Sequence, residues 1–420
     1  MKFIADFHLH SKYSRATSAM MDLENLDKWA KIKGIRVLGT ADFTHPQWFK
    51  NLKEKLRPAE QGLFKLKNSD SEVRFILTVE ISSIYSKAGK VRRIHNLIFT
   101  PSFEIAEKIN TQLGWIGNLK SDGRPILGLD AKELAKIVLD ISENCFIVPC
   151  HAWTPWFSIF GSKSGFDSIE ECFEDYSKYI YSIETGLSSD PLMNWRLSAL
   201  DGVTLISNSD AHSPTKIGRE ANVFEGNELS YQLIIEAIKN RGPTSANFKL
   251  IYTIEFYPQE GKYHYDGHRN CGVSCSPQES KKYNNICPVC GKPLTIGVLN
   301  RVEELANRPE GFKPPGAIPF KSLIPLKEII AESLGVGSET KEAGKEYRNL
   351  IEKFGNEFRA LLEIPYQDLE TATLPEIAEG IIRAREGKVY IEPGYDGVYG
   401  KIRIFSKEEK KELSKQRTLF

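Results

Sequence analysis

The chain has 420 residues, with 56 basic and 55 acidic side chains and a net charge of +1 at pH 7. This balance excludes a uniformly basic nucleic-acid-binding protein and confines any basic surface to a local patch. The hydrophobic content of 41% is typical of globular proteins, and no run reaches the roughly 18 apolar residues of a membrane span. Since no signal peptide is recognisable at the start, we expect a monomeric cytoplasmic protein.

Apolar runs alternate with segments of helical periodicity up to about residue 260. The predicted strands are residues 3–7, 35–39, 73–79, 94–99, 146–149, 179–183 and 203–207. The predicted helices are residues 23–33, 105–113, 132–142, 194–200 and 231–240. This alternation indicates an α/β fold with a parallel sheet.

Metal-ligating residue types stand at or near the ends of these strands. In the first strand, Asp6, His8 and His10 share one face because side chains alternate along a strand. The later members of the set are Asp42, His45, Glu80, His95, His151, Glu184, Asp210 and His212. Each alone has a simpler explanation, as a core histidine, a solvated acid or a turn residue. Their recurrence at successive strand ends is typical of a (β/α) barrel active site, and we predict a site for several metals.

His8-Leu9-His10, Glu80, His95, His151 and Asp210-Ala211-His212 resemble, in this order, the PHP (polymerase and histidinol phosphatase) family of metal-dependent phosphoesterases. The resemblance covers about residues 1–255 and implies a distorted (β/α)7 barrel. It implies that His8, His10, Glu80 and Asp210 hold one metal and that Glu80 bridges to a second. His95 and His151 would complete the second metal site, and His212 would belong to a third.

The third site departs from the family pattern. Arg15 stands where family members commonly have a further histidine, and Phe43 follows Asp42 where they have Asp-His. Either His45 substitutes for the missing ligand, or Arg15 neutralises a phosphate with its planar guanidinium. Mixed imidazole and carboxylate ligands suit Zn²⁺ or Mn²⁺ better than Mg²⁺. Ions of this kind activate water for attack on a phosphoester.

Two loops carry further candidate residues. Trp153 and Trp156 follow His151 directly, and they either pack on the barrel or form a stacking surface for an unpaired base. Asp190 precedes Pro191 after the sixth strand. It either caps the next helix or acts as a catalytic acid or base or as a metal ligand.

A second metal module is predicted at residues 261–300. Its ligands are Cys271, Cys275, Cys287 and Cys290, in a spacing that indicates structural Zn²⁺. His264 and His268 lie just upstream, and either is able to replace one cysteine. The segment has a net charge of +3, which suits contact with DNA phosphates, although structural zinc modules also occur without nucleic acid.

The rest of the chain is predicted to be mainly helical. Helical periodicity covers residues 302–308, 326–334, 341–354 and 374–386, and a short hairpin is predicted at 389–391 and 401–404. The last residues, 415–420, resemble a truncated sliding-clamp-binding peptide, so a sliding clamp is a candidate partner. We therefore predict a barrel at 1–260, a four-cysteine zinc module at 261–300 and a helical DNA-binding region with a basic tail at 301–420.

This arrangement, together with the segment Pro314-Pro315-Gly316-Ala317-Ile318-Pro319-Phe320, is similar to DNA-repair endonucleases of the PHP superfamily. The resemblance implies a nick on the 5′ side of uracil, hypoxanthine or xanthine and at abasic sites, leaving a 3′-hydroxyl and a 5′-phosphate. The residues alone support only metal-dependent phosphoester hydrolysis. A small-molecule phosphatase of the histidinol-phosphate type is therefore the alternative.

Overall fold

The computed structural model describes residues 1–240, 247–406 and 408–410. The strands are β1 (Lys2–Asp6), β2 (Val37–Gly39), β3 (Leu56–Pro58), β4 (Phe64–Leu66), β5 (Arg74–Lys87), β6 (Lys90–Thr100), β7 (Ile126–Leu127), β8 (Phe146–Pro149), β9 (Ser182–Glu184), β10 (Thr204–Ile206), β11 (Ala221–Glu225), β12 (Lys249–Glu255), β13 (Asp266–His268), β14 (Val273–Cys275), β15 (Phe320–Ser322), β16 (Tyr390–Glu392) and β17 (Lys401–Arg403).

The α-helices are α1 (Leu23–Lys33), α2 (Pro46–Lys55), α3 (Phe103–Ile116), α4 (Ala131–Ile141), α5 (Ile169–Phe173), α6 (Pro191–Asn194), α7 (Tyr231–Asn240), α8 (Pro277–Lys282), α9 (Val298–Leu305), α10 (Leu326–Leu334), α11 (Lys341–Phe354), α12 (Glu357–Leu362), α13 (Tyr366–Glu370) and α14 (Pro375–Arg385). Within the described ranges, no helix combines the length and the apolar character needed to cross a bilayer.

The barrel is built from β1, β2 and β5, which are parallel neighbours, and from β6 and β8, which join them in antiparallel ladders. Strands β9 and β10 form a separate parallel pair. A backbone bridge between Leu9 and Ala211 and a hydrogen bond from Ala152 N–H to the Glu184 carbonyl link this pair to the rest. The fold is the distorted barrel that the resemblance to the PHP family implies, but its sheet is mixed and not wholly parallel.

One strand is much longer than predicted, and this affects the site. The sequence places the end of the third predicted strand at Glu80, whereas β5 continues to Lys87 and turns directly into β6. Ala88 and Gly89, both with positive φ, form the two-residue turn that suits a twisted hairpin. Because His95 pairs with Ser82, two residues after Glu80, the hairpin sets Glu80 and His95 diagonally on one face.

Most of the predicted helices are present with bounds close to those expected, but the helix predicted at 194–200 is wrong. Helix α6 ends at Asn194, and a separate 3-10 turn covers Ser198–Leu200. Between them, the Arg196 carbonyl accepts hydrogen bonds from the backbone N–H groups of Asn307 and Arg308. A continuous helix would need the Arg196 carbonyl for a hydrogen bond within the helix, but this carbonyl is bound to a distant segment.

The C-terminal helices pack on the barrel. A single cluster of buried apolar side chains extends from Ile4 in β1 to Phe405 after β17. The short strand β15 pairs in parallel with β12 and so joins the main sheet. The hairpin of β16 and β17 forms as predicted. The tail that resembles a clamp-binding peptide lies outside the described residues, and the three-part division of the chain stays a prediction.

Candidate active site

The first ligand group lies where β1 and β10 end. The Nε2 atom of His10 is 2.9 Å from Asp210 Oδ1 and 3.2 Å from Glu80 Oε2. The Nε2 atom of His8 is 3.5 Å from Glu80 Oε2 and 3.8 Å from Asp210 Oδ1. Two imidazoles and two carboxylates therefore converge on one point, as metal ligands do.

The second group shares Glu80 with the first. Its Oε1 atom is 2.6 Å from His95 Nδ1 and 3.2 Å from His151 Nε2. The two imidazole nitrogens are 3.2 Å apart. Because Oε2 of Glu80 faces the first group and Oε1 faces the second, this carboxylate is placed to bridge two cations.

Further side chains hold the first two histidines from behind. Glu184 approaches His8 Nδ1 at 3.0 and 3.1 Å, and Asp42 lies 3.5 Å from His10 Nδ1. Asp42 also accepts hydrogen bonds from the hydroxyl and backbone N–H of Ser11. In both histidines the Nδ1 side faces a carboxylate, so Nε2 is directed to the shared point. Supporting carboxylates of this kind are usual behind histidines that bind metals.

The other two histidines are held by hydroxyl groups. His95 Nε2 is 3.1 Å from Ser82 Oγ, and His151 Nδ1 is 3.2 Å from Thr154 Oγ1. The opposite nitrogen of each ring faces Glu80. The ring orientation is thereby fixed in the second group as well.

Two observations show that these residues fit metal ions. His8 Nε2 is fully buried and has no hydrogen-bond partner within the described ranges. A buried polar atom without a partner costs free energy unless a bound ligand supplies the missing interaction. Asp42, His151 and Asp210 also adopt positive φ, which is rare outside glycine and is retained mainly at functional sites.

The charge of Glu80 suits a bridging role. Burial acts to raise the pKa of Glu80, but His95, Arg124 and His8 oppose it and hold the pKa well below its ordinary value. The carboxylate is therefore an anion and keeps both oxygens available as acceptors.

A cavity of about 440 Å³ opens above the two groups, and we call it the metal-side cavity. Arg124 and Arg15 line it together with His95, His151 and Asp210. Arg124 Nη1 lies 3.1 Å from Glu80 Oε2. Arg15 is largely exposed, with Nε 3.3 Å from Asp122 Oδ2. The placement of Arg15 agrees with the phosphate-neutralising alternative.

The two tryptophans have different environments. Trp153 is buried, donates a hydrogen bond from Nε1 to Asn194 and packs on Phe160, so its predicted role in stacking on substrate is wrong. Trp156 is 44% exposed and lines the metal-side cavity. Phe157 lies beside it, with its ring 4.7 Å from that of His95. The aromatic wall of the cavity is therefore Trp156 and Phe157.

Within the described residues, the side chains considered for a third metal site do not gather into a cluster of three ligand atoms. The ring of His212 lies 4.4 Å from that of His10, but within the described chain no cluster of three ligand atoms includes His212. His45 stacks on Tyr13 at 4.4 Å, at the start of α2, and is likewise outside these clusters. The suggestion that His45 replaces the missing ligand therefore stays a prediction.

Asp190 adopts the capping alternative. Its carboxylate accepts a hydrogen bond from Met193 N–H at the start of α6, and it is not among the residues that line the metal-side cavity. Burial raises the pKa of Asp190 to about 6. The expected catalytic role does not follow from this position.

The cysteine module assembles with one substitution. His268, Cys271, Cys287 and Cys290 place their ligand atoms within 4.8 Å of one another. Cys275 lies outside this set and packs with Cys287 and Leu294 in a small apolar cluster, so the predicted set of four cysteines is corrected to three cysteines and one histidine. Despite burial, backbone N–H groups of Cys290 and Val289 lower the pKa of Cys287 to about 7, which favours the thiolate that binds Zn²⁺.

Sequence reasoning missed two members of the site. Arg124 precedes the very short β7 in a loop without a recognisable motif, so nothing local marks it. Cys150 forms a third cluster with His8 and Glu80. Burial raises the pKa of its thiol well above the ordinary value. Its place directly before His151 is the available signal in the sequence, but its apolar neighbours are those of an ordinary core residue.

Comparisons with known proteins agree with this geometry. Residues 195–242 match the family model described as PHP-associated, and residues 325–388 match the MJ0043 C-terminal domain. The uncharacterized protein MJ0043 of Methanocaldococcus jannaschii is 38% identical over 271 residues, which are 62% of this chain. The match spans only 31% of that longer protein.

Two solved structures match almost the whole chain. The crystal structure of the lesion-specific endonuclease PfuEndoQ from Pyrococcus furiosus has a TM-score of 0.85 and 32% identity, covering 98% of this chain and 99% of that one. Endonuclease Q in complex with a 27-mer duplex substrate, with an abasic lesion at its active site, has a TM-score of 0.84 and 33% identity, covering 97% and 98% of the two chains. The chain belongs to the endonuclease Q family, and thereby to the PHP-type hydrolases that act on phosphodiester bonds.

Proposed function

We propose that this chain is a DNA-repair endonuclease that hydrolyses the phosphodiester 5′ to a damaged nucleotide. The proposed lesions are uracil, hypoxanthine, xanthine and abasic sites, and the products are a 3′-hydroxyl and a 5′-phosphate. The observation that carries the proposal is the pair of ligand groups joined by Glu80 beneath a cavity with an arginine wall and an aromatic wall. Similarity to PfuEndoQ over nearly the whole chain supports it.

The chain itself supplies the contacts for the scissile phosphate. Divalent ions held by the two groups would lower the pKa of an attacking water and neutralise phosphoryl oxygens. Arg124 and Arg15 stand on the cavity wall, where a planar guanidinium is able to bind two oxygens of one phosphate. Glu184 and Asp42 keep the histidine rings in place while charge shifts during the reaction.

The metals in the barrel are proposed to be Zn²⁺ or Mn²⁺. Four imidazoles and two carboxylates form the two groups, and nitrogen ligands suit these ions better than Mg²⁺. In the cysteine module, three thiol groups and an imidazole favour structural Zn²⁺.

The damaged nucleotide is proposed to leave the stack and lie against Trp156 and Phe157. Both residues also line an adjoining space of about 730 Å³, which we call the middle cavity. Stacking on an aromatic ring does not depend on base identity, so the selection for damage must come from polar groups.

A backbone loop offers such polar groups. Leu187 and Ser188 line both cavities, and their N–H groups donate no hydrogen bond within the part of the chain that the structure describes. Deaminated bases carry a carbonyl where the parent base has an amine. A free N–H donor can form a hydrogen bond with that carbonyl. Opposite the amine of the parent base, two donors would face each other and neither would be paired.

The proposal is tested with end-labelled duplexes that carry one deoxyuridine, one deoxyinosine or one abasic site, and with an undamaged duplex. The expected result with Mn²⁺ is a single nick 5′ to each lesion and no cut in the undamaged DNA. His8→Ala should abolish the nick. His45→Ala is the matched control and should keep it, because His45 belongs to neither ligand group.

The same assay contains the contradicting outcome. Failure to cut any duplex, with phosphate released from a small monoester by the wild type and not by His8→Ala, would refute the endonuclease. It would assign the site to a phosphatase of the histidinol-phosphate type.

A further inference from the structure

A cavity of about 500 Å³ lies beside the start of α2, and we call it the lateral cavity. It is enclosed by the first turn of α2, one face of α3 and the loop at 117–120. None of the described residues that line it also lines the metal-side cavity or the middle cavity. Its volume lies within the range of small-molecule sites. The lateral cavity is therefore a separate space of a size that suits a small ligand.

Two polar atoms on the wall of the lateral cavity have no partner within the described part of the chain. Thr44 is 1% exposed, and its hydroxyl forms no hydrogen bond there. Asn110 donates from Nδ2 to the Phe43 carbonyl at 2.9 Å, which leaves its Oδ1 atom as an acceptor without a donor. Because Phe43 directly precedes Thr44, the hydroxyl and the amide oxygen lie on the same part of the wall. A ligand that paired with both atoms would recover the cost of leaving them unsatisfied.

The rim of the lateral cavity adds an aromatic ring and a cation. Trp115 directly follows the lining residue Gly114, and at 80% exposure it is the most exposed large apolar side chain in the described ranges. Lys120 is exposed and lines the cavity. The one carboxylate among the described lining residues, Glu107, lies 3.1 Å from Lys53 Nζ and is already paired. An anionic group of a ligand would therefore meet Lys120.

These groups match the edge of one kind of nucleobase. Adenine and cytosine carry an exocyclic amine beside a ring nitrogen, so a donor stands next to an acceptor. The Asn110 oxygen requires a donor, and the Thr44 hydroxyl is able to donate to a ring nitrogen. Hypoxanthine and uracil carry a carbonyl in place of the amine, and this carbonyl would face the Asn110 oxygen as a second acceptor. An indole ring stacks on any base, and an ammonium group binds phosphate.

We propose that the lateral cavity binds a free nucleotide whose base carries an exocyclic amine, with AMP as the simplest example. Asn110 accepts from the amine, Thr44 donates to the adjacent ring nitrogen, Trp115 stacks on the base and Lys120 contacts the phosphate. This site goes beyond the proposed function, since binding of AMP needs neither DNA nor a cut. Its preference for an amine is opposite to that of the damaged-base site, so the two sites are distinguishable.

The test is calorimetric binding to the purified protein without DNA, with AMP, inosine monophosphate and adenosine as ligands. AMP should bind, and inosine monophosphate should bind at least about ten-fold more weakly because the Asn110 oxygen stays unpaired. AMP should bind more tightly than adenosine, and this difference should disappear in Lys120→Ala. AMP should also quench tryptophan emission, and Trp115→Phe should remove the quenching.

Thr44→Val and Thr111→Val form a matched pair of variants. Valine has nearly the shape of threonine without the hydroxyl, so Thr44→Val should weaken AMP binding by about 2- to 12-fold. Its melting temperature should be unchanged or higher, because an unpaired buried hydroxyl is removed. Thr111 lines the same cavity, but its hydroxyl already donates to the Glu107 carbonyl. Thr111→Val should therefore bind AMP like the wild type.

Four results would overturn the inference. The first is a wild type that does not bind AMP. The second is equal or tighter binding of inosine monophosphate, which would place the nucleotide in the damaged-base site. The third is AMP binding that Thr44→Val and Lys120→Ala leave unchanged, or that Thr111→Val weakens as much as Thr44→Val does. The fourth is displacement of AMP by an undamaged duplex, which would assign the lateral cavity to DNA.

Discussion

Replacing Glu184 with glutamine should weaken metal binding although Glu184 belongs to neither ligand group. Its carboxylate accepts from His8 Nδ1 at 3.0 Å, from His151 N–H at 2.8 Å and from Asn208 Nδ2 at 2.9 Å. All three neighbours therefore donate to it. Glutamine has nearly the same shape, but it offers one oxygen and one NH₂ group in place of two acceptors.

The size of the effect follows from these contacts. Exchanging a charged for a neutral acceptor weakens the bond to His8 by about 1–1.5 kcal/mol. The NH₂ group then faces a donor that cannot turn away, because Asn208 Oδ1 is already bound by Phe7 N–H and by Asn222. An unsatisfied buried donor costs about 1–3 kcal/mol. The two costs sum to about 2–4.5 kcal/mol, and the lower part of that sum, about 2–3 kcal/mol, corresponds to about a 30- to 150-fold loss in metal affinity, which is at or slightly above the upper end of the roughly 10- to 100-fold effect of such supporting residues.

The assay is a titration of metal-free protein with Mn²⁺, followed both by direct binding and by cleavage of a lesion duplex. Half-maximal activity should require about 30- to 150-fold more Mn²⁺ in Glu184→Gln than in the wild type. Saturating metal should restore most of the rate, since every ligand remains. Glu225→Gln is the control, because Glu225 pairs with Lys249 at the surface of β11, outside the ligand clusters.

An unchanged Mn²⁺ requirement in a folded Glu184→Gln variant would refute the reasoning, since the contact to His8 would then contribute nothing to the ligand geometry. A fall in rate that no amount of Mn²⁺ restores would also refute it. Glu184 would in that case take part in the chemistry itself. Circular dichroism at the assay temperature separates both results from unfolding.

Four other variants probe the site. Trp156→Ala should weaken binding of lesion DNA by about 1–3 kcal/mol in a DNA-binding assay, without changing the melting temperature. Trp153→Ala should instead lower the free energy of unfolding by about 3–5 kcal/mol, as measured by thermal unfolding. Arg124→Gln should lower the single-turnover rate by about 100-fold, as loss of a phosphate-binding donor does. His268→Ala should reduce the zinc retained after dialysis against a chelator, measured by elemental analysis, while the barrel metals are unaffected.

Asp190→Asn tests the capping role through pH. The pKa of Asp190 is raised from 3.8 to about 6, so the wild type loses stability as pH rises through this window. Asparagine caps equally well and has no such loss. The variant should be more stable by up to about 3 kcal/mol above pH 6 and equal to the wild type below pH 4, in denaturant titrations. Asp190→Asn should also keep its cleavage activity. Loss of cleavage in a folded variant would instead indicate a catalytic role for Asp190.

The sequence predicted the parts of the site that depend on strand ends. His8 and His10 follow β1, His151 follows β8 and Asp210 follows β10, and alternating side chains direct them to one place. Glu80 and His95 lie inside long antiparallel strands, where a strand-end argument does not apply. Their meeting depends on the register of the hairpin, set by a turn at Ala88 and Gly89 that carries no strong sequence signal.

Other features depended on contacts between distant residues. Trp153 and Trp156 are three positions apart in one loop, but Trp153 is held inward by a hydrogen bond to Asn194, forty-one residues away, and by packing on Phe160. His268 takes the place of Cys275 in the ligand set because β13 pairs with β14, and this pairing is not visible in the spacing of the ligands. Arg124 reaches Glu80 across forty-four positions. Spacing gives the residue types of a site, whereas tertiary contacts decide which of them meet.

Strand β15 has a consequence for how the protein should be handled. It covers the outer edge of β12 with a parallel ladder from Phe320 to Ser322, although these residues lie far along the chain from the barrel strands. A fragment that stopped near residue 260 would expose the N–H and C=O groups of β12 as an open edge, a surface that readily recruits strands from other molecules. Truncated barrels should therefore self-associate, and variants made to isolate the barrel need residues up to this strand.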